Sequence, residues 1–144
     1  VDKDVVDIWI QKEKALKEPF DPRLLHWRKG RGNTMLAYLN ARDVMRRLDD
    51  VVGMANWQDR YEEVGGRLIC HLSIRVGDEW ITKCDGAGDT NIESEKGGIS
   101  DAFKRAAVRF GVGRYIYYFG QFGVTQQNIM QHPRFLPYQK GEEK

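Results

Sequence analysis

The chain has 144 residues, of which 41% are hydrophobic and 31% charged, with a formal net charge of +2; this composition points to one soluble globular domain rather than a disordered or membrane chain. No apolar run approaches the roughly 18 residues a membrane span needs, and no signal-peptide pattern opens the chain. Cys70 and Cys84 both sit in strand-like segments, so they read as reduced packing thiols in a reducing cytoplasm rather than as a disulfide framework.

In chain order, Asp4 to Lys17 reads as a helix with Val5, Ile8, Trp9 and Leu16 on one face, stopped before Pro19. A basic loop holding Arg23, Arg28, Lys29 and Arg31 follows, and then a short strand from Thr34 to Leu39. Asn40 is placed to cap a helix carrying Ala41, Val44, Met45, Leu48, Val51 and Val52, which Gly53 closes. Next comes a meander of three strands: Trp57 to Val64, a Gly65-Gly66 turn, Arg67 to Val76, a turn at Gly77-Asp78, and Trp80 to Asp85. The second turn has two readings. A two-residue loop sets His71 opposite Cys84; a three-residue loop sets Leu72 there and turns Trp80 inward, and burial of Trp80 favours the longer loop.

Thr90 to Glu93 has the form of a capping box, from which a last helix runs to Phe110. Its stripe of Ile99, Phe103, Ala106, Ala107 and Phe110 is expected to cover the sheet, with Gly97-Gly98 as a weak point. Arg114 to Phe119 is aromatic and expected to pack. The expected fold is therefore α+β: an antiparallel meander covered by a long helix (a β-β-β-α core) with an N-terminal helix and a β-α lead-in. Residues 1–120 form the expected domain and 121–144 a poorly ordered tail.

Charge is polarised although the net value is small. Arg28, Lys29 and Arg31 sit in the first loop beside Gly30 and Gly32, and Lys104, Arg105 and Arg109 leave the apolar stripe of the last helix. Such groups either face water as ordinary surface charge or meet a polyanion, and the glycines favour close backbone approach to a ligand. Trp27, Trp57, Trp80 and Tyr115 could stack bases, but core packing accounts for them more simply. Gly86 to Thr90 lacks the Gly-Lys-Ser/Thr ending of a nucleotide cradle. Asp85, Asp89, Glu93 and Glu95 could hold Mg²⁺ in a nuclease, although loop and capping roles account for them. His26, His71 and His132 are scattered, so no metal site, cofactor or catalytic cluster is expected.

The run from Gly98 through Ser100-Asp101-Ala102-Phe103-Lys104-Arg105-Ala106 to Phe110-Gly111 and Tyr115 resembles the signature helix of the Rad52/Rad22 family of annealing proteins, in its bacterial and phage, DdrA-like branch. Leu25 to Arg28, Asn40 to Met45 and Asn56 to Gln58 are similar too, so the resemblance spans about residues 19–118. It implies a ring-forming fold, with single-stranded DNA held by phosphate in a basic groove around a homo-oligomeric ring. It also implies non-enzymatic, ATP-independent annealing of complementary strands in recombination or break repair. Lys104 and Arg105 fall on the family's paired basic positions and Arg28 on the one after the first helix; Arg31 joins them from the basic loop. Val108 stands where eukaryotic members carry another basic residue, with Arg109 one position later. Their second DNA site has no basic counterpart in Gly86 to Asn91, and no segment resembles their recombinase-binding region. A metal-dependent nuclease is the alternative function.

Overall fold

The computed structural model of the protein describes residues 3–29, 35–87 and 95–116. Helix α1 (Lys3–Lys17) buries Leu16 at its end and packs against α2 (Ala41–Val52), whose buried residues Val44, Leu48 and Val52 repeat at helical spacing. The two helices cap each other. Arg47 of α2 donates to the carbonyls of Ala15, Leu16 and Glu18, at 3.3, 3.1 and 2.6 Å. Lys12 of α1 donates to the carbonyl of Val51 at 2.8 Å. Cationic donors thus satisfy carbonyls that a helix end leaves without partners, where the helix dipole also favours positive charge.

Between these helices, β1 (His26–Lys29) pairs antiparallel with β2 (Met35–Tyr38), setting Arg28 opposite Leu36 and His26 opposite Tyr38. Half of the expected basic loop is therefore a strand, and the lead-in is a hairpin followed by a helix. Arg31 lies in residues 30–34, outside the described residues. Asn40 has the extended backbone of an N-cap but makes no side-chain cap bond; its Nδ2 lies 3.0 Å from Nε2 of His26 instead.

The meander forms as expected. β3 (Trp57–Val64), β4 (Arg67–Val76) and β5 (Glu79–Gly86) make a three-stranded antiparallel sheet in that order. Gly65 and Gly66 both take positive φ, 59° and 81°, as a tight two-residue hairpin turn requires. The second hairpin corrects the longer loop: Val76 pairs with Glu79 and His71 with Cys84, leaving two loop residues. Trp80 therefore shares the outer face with His71 and Ser73 and is 41% exposed. Register is set by turn length, and a shift of one residue exchanges the faces of the whole strand.

Helix α3 (Glu95–Arg109) lies over β4 and β5. Gly97 and Gly98 do not interrupt it. Ala102, Phe103, Ala106, Ala107 and Phe110 are buried against Cys70, Leu72 and Ile74 in one core cluster, and Trp57 meets Phe103 with ring centroids 5.7 Å apart. Ile99, expected in that stripe, is 47% exposed, and the buried stripe starts at Ala102. Tyr115 is buried and its hydroxyl accepts from the Phe20 amide at 2.8 Å, tying the end of α3 to the segment after α1. The expected capping box, the rest of the aromatic run and the tail at 121–144 lie outside the described residues.

Candidate nucleic-acid interface

A cavity of about 540 Å³ opens between the β1-β2 hairpin, the start of α2 and α3. Leu36, Leu39, Val44, Val108, Val112 and Ile116 supply apolar walls, and Arg28, Lys104 and Asp101 are its charged lining. Strand alternation puts His26 and Arg28 on one face of β1, and register puts Tyr38 and Leu36 opposite them. Lys104 reaches this face from α3, with Nζ 5.5 Å from the centroid of the Tyr38 ring. Half-burial holds the Lys104 ammonium below its ordinary pKa of 10.5; Asp101 acts in the opposite direction, and the charge of Arg28 lowers it further. Two cations far apart in sequence therefore line one groove, Lys104 half-buried and Arg28 exposed at its wall.

The expected site residues divide. Arg28 and Lys104 line the groove. Arg105 stands at its shoulder, its Nε 3.1 Å from Oδ2 of Asp101, which also lines the groove. Arg109 is five residues from Lys104, about 140° around the helix at 3.6 residues per turn, and faces a different hollow with Lys17, Lys83 and Arg114. There Lys83 Nζ and Arg114 Nη2 donate to the Arg109 carbonyl at 3.1 and 2.9 Å, closing the end of α3.

Tyr38 was not singled out from sequence. Only the pairing of β1 with β2 and the packing of α3 bring Tyr38 to Lys104, and the four residues of β1 carry no sequence signal long enough to find it. Trp27 and Trp57 are partly buried against the core and Tyr115 is buried, in keeping with packing roles.

Around the acidic stretch, the Asp85 carboxylate accepts from the Gly86 amide at 2.7 Å. Asp89 and Glu93 are outside the described residues, as is the side chain of Glu95. Among the described residues no group of three His, Cys, Asp or Glu side chains is placed to hold a metal ion. His71 is paired with Glu62 on the outer sheet face. Cys70 and Cys84 are free thiols, and burial pushes Cys70 up to about 11. No helix among the described residues is long and apolar enough to cross a membrane.

Comparison with known proteins adds to this geometry. Residues 10–72 and 66–135 match the model of the Rad52/22 family of double-strand break repair proteins. The chain is 30% identical over 133 residues to the single-stranded DNA-binding protein DdrA of Deinococcus radiodurans, covering 87% of this chain and 64% of that protein. It is 34% identical over 113 residues to the protein of the same name from Deinococcus deserti, covering 73% of this chain and 56% of that one. The chain thus spans less than two thirds of the length of either relative.

Proposed function

The chain belongs to the Rad52/22 family of double-strand break repair proteins, and from that premise we propose that it binds single-stranded DNA through phosphate and anneals complementary strands without ATP. The observation that carries this reading is the meeting of Arg28, from β1, and Lys104, from α3, along a groove whose floor is the ring of Tyr38. Two cations that repel each other across a partly dry groove favour a polyanion, since a phosphate relieves their repulsion and replaces lost hydration. Arg105 would turn from Asp101 to a neighbouring phosphate at little cost, because an exposed ion pair of this kind contributes under about 1 kcal/mol. Arg31 enters by its place in the β1-β2 connection alone. Arg109 is not part of this groove.

Holding a strand by its phosphates leaves base edges free to pair, so annealing needs proximity and charge neutralisation rather than chemistry. Copies of the chain arranged in a ring would line up many such grooves, and multivalency would raise modest affinity per subunit to stable binding. Residues 1–120 are the binding unit in this reading and 121–144 an appendage.

Two measurements test it. Mixing labelled complementary oligonucleotides with the protein, without ATP or divalent metal, should speed duplex formation and leave both strands full length; shortening of the strands would favour a nuclease. Binding followed against salt should give a log–log slope that flattens by about 0.7 for each phosphate contact removed by Arg28→Ala or Lys104→Ala. Unchanged affinity and slope in both variants would sink the reading.

A further inference from the structure

A trough runs along α1, away from the groove at Arg28. Val5, Ile8 and Trp9 of α1 share a hollow of about 160 Å³ with Val76 and Gly77 of the second hairpin. Trp9 also lines a second hollow of about 200 Å³, together with Ile81 of β5 and Phe110 at the end of α3. Ile8 is 57% exposed and Ile81 is exposed as well, so apolar surface continues from one hollow to the next past the Trp9 side chain. Contiguous apolar surface of this kind marks a binding site, where single exposed residues do not.

Positive charge is confined to one end. The second hollow is rimmed by Lys17, Lys83, Arg109 and Arg114, none of which is in an ion pair among the described residues. Lys83 Nζ lies 5.1 Å from the centroid of the Phe110 ring, and both it and Arg114 donate to the Arg109 carbonyl, which fixes them without cancelling their charge. The carboxylate in the lining is that of Glu13, whose Oε1 accepts from the Trp9 indole at 2.8 Å. At the other end Lys12 donates to the Val51 carbonyl, and Arg75 lies 3.6 Å from the carboxylate of Asp78. Glu79 and Asp85 share this face of β5 but line neither hollow.

We propose that this trough binds an acidic peptide segment of a partner protein, with an apolar anchor over Val5, Ile8 and Val76 and carboxylates among Lys17, Arg109 and Arg114. Ile8 and Lys17 are about 14 Å apart along α1 at roughly 1.5 Å per residue, and about four residues of extended peptide cover that span. A nucleic-acid strand carries a phosphate at every residue and has no uncharged stretch to lay on the apolar end, whereas a peptide can separate its anchor from its charge. The inference does not rest on the DNA reading, and it gives Arg109 a use that the groove at Arg28 and Lys104 does not.

Fluorescence anisotropy on the full chain tests the trough, with a labelled peptide whose leucine-phenylalanine anchor stands about four residues from a run of aspartates. Binding should saturate and weaken as salt rises. It should fall by about tenfold or more when the aspartates are replaced by asparagine, and likewise when the anchor is replaced by serine. Lys17→Glu with Arg109→Glu should cost as much, with folding checked by circular dichroism; neither side chain carries a hydrogen bond that closes α3. Ile8→Ser, at an exposed position on α1, leaves the charge in place and should cost about fivefold. A short oligonucleotide should not displace the peptide, and its own affinity should be the same for K17E/R109E as for the parent. Absence of saturable binding, or peptide affinity unchanged in either variant, would overturn the proposal. A peptide without its anchor that binds as tightly would overturn it too, reducing the trough to a patch of charge. Displacement by the oligonucleotide, with loss of oligonucleotide affinity in K17E/R109E, would assign the basic end to nucleic acid instead.

Discussion

The groove at Arg28 and Lys104 and the corner at Lys83, Arg109 and Arg114 hold similar charge, but their surroundings differ. In the groove, apolar walls and the Tyr38 ring take water from Lys104 and lower its pKa. At the corner the cations are exposed and two of them close the end of a helix. A desolvated cation gains more from a phosphate than a hydrated one, so the same residue types acquire different uses from what stands beside them.

The sharpest test of that difference uses an oligonucleotide short enough to occupy one subunit. Arg28→Ala with Lys104→Ala should weaken binding by about 3 kcal/mol, more than a hundredfold, as expected for two charge-assisted contacts. Lys83→Ala with Arg109→Ala should change it by less than about 0.5 kcal/mol. Equal losses in an anisotropy titration would erase the distinction between the two regions.

Arg47 represents a third use of positive charge, half-buried in the scaffold. Arg47→Ala leaves the end of α1 without its donor and should lower stability by about 2 kcal/mol, seen as an earlier urea midpoint with oligonucleotide affinity per folded molecule unchanged. Alkaline pH separates groove from corner more finely. Because Lys104 titrates below 10.5 in the free protein, and phosphate favours its charged form, affinity should fall as pH rises toward that value, by up to about tenfold. Lys104→Arg should flatten this limb, since a guanidinium stays charged throughout; an identical pH profile would show that Lys104 does not titrate against phosphate. The smallest effect concerns the groove helix itself. A methyl added at Gly98 meets only Leu68 Cδ2, at 3.7 Å, so Gly98→Ala should raise stability by about 0.5 kcal/mol and leave binding alone, as thermal unfolding and titration would report.

Much of the fold was legible because local signals agreed. Val44, Leu48 and Val52 gave α2 its period, the Gly65-Gly66 pair gave the first hairpin its turn, and the alternation from Leu68 to Val76 gave the central strand its covered face. The errors came where local signals were short. Four residues, His26 to Lys29, are too few to show alternation against a basic composition, so the sequence points to loop where β1 forms. At the second hairpin, the apolar character of Trp80 favours a longer turn, but Gly77-Asp78 suffices for two residues, and Trp80 stays on the open face.

For the candidate site, composition located the basic segments and the resemblance around Lys104 supplied their family; neither could pair them. The spacing of apolar residues along the chain fixed which faces of α2, β4 and α3 turn inward, because burial acts on each element by itself. Whether Arg28 and Lys104 meet and whether Arg109 joins them are matters of packing angle and register. Those depend on contacts between residues distant in the chain, and the tertiary structure alone decided them.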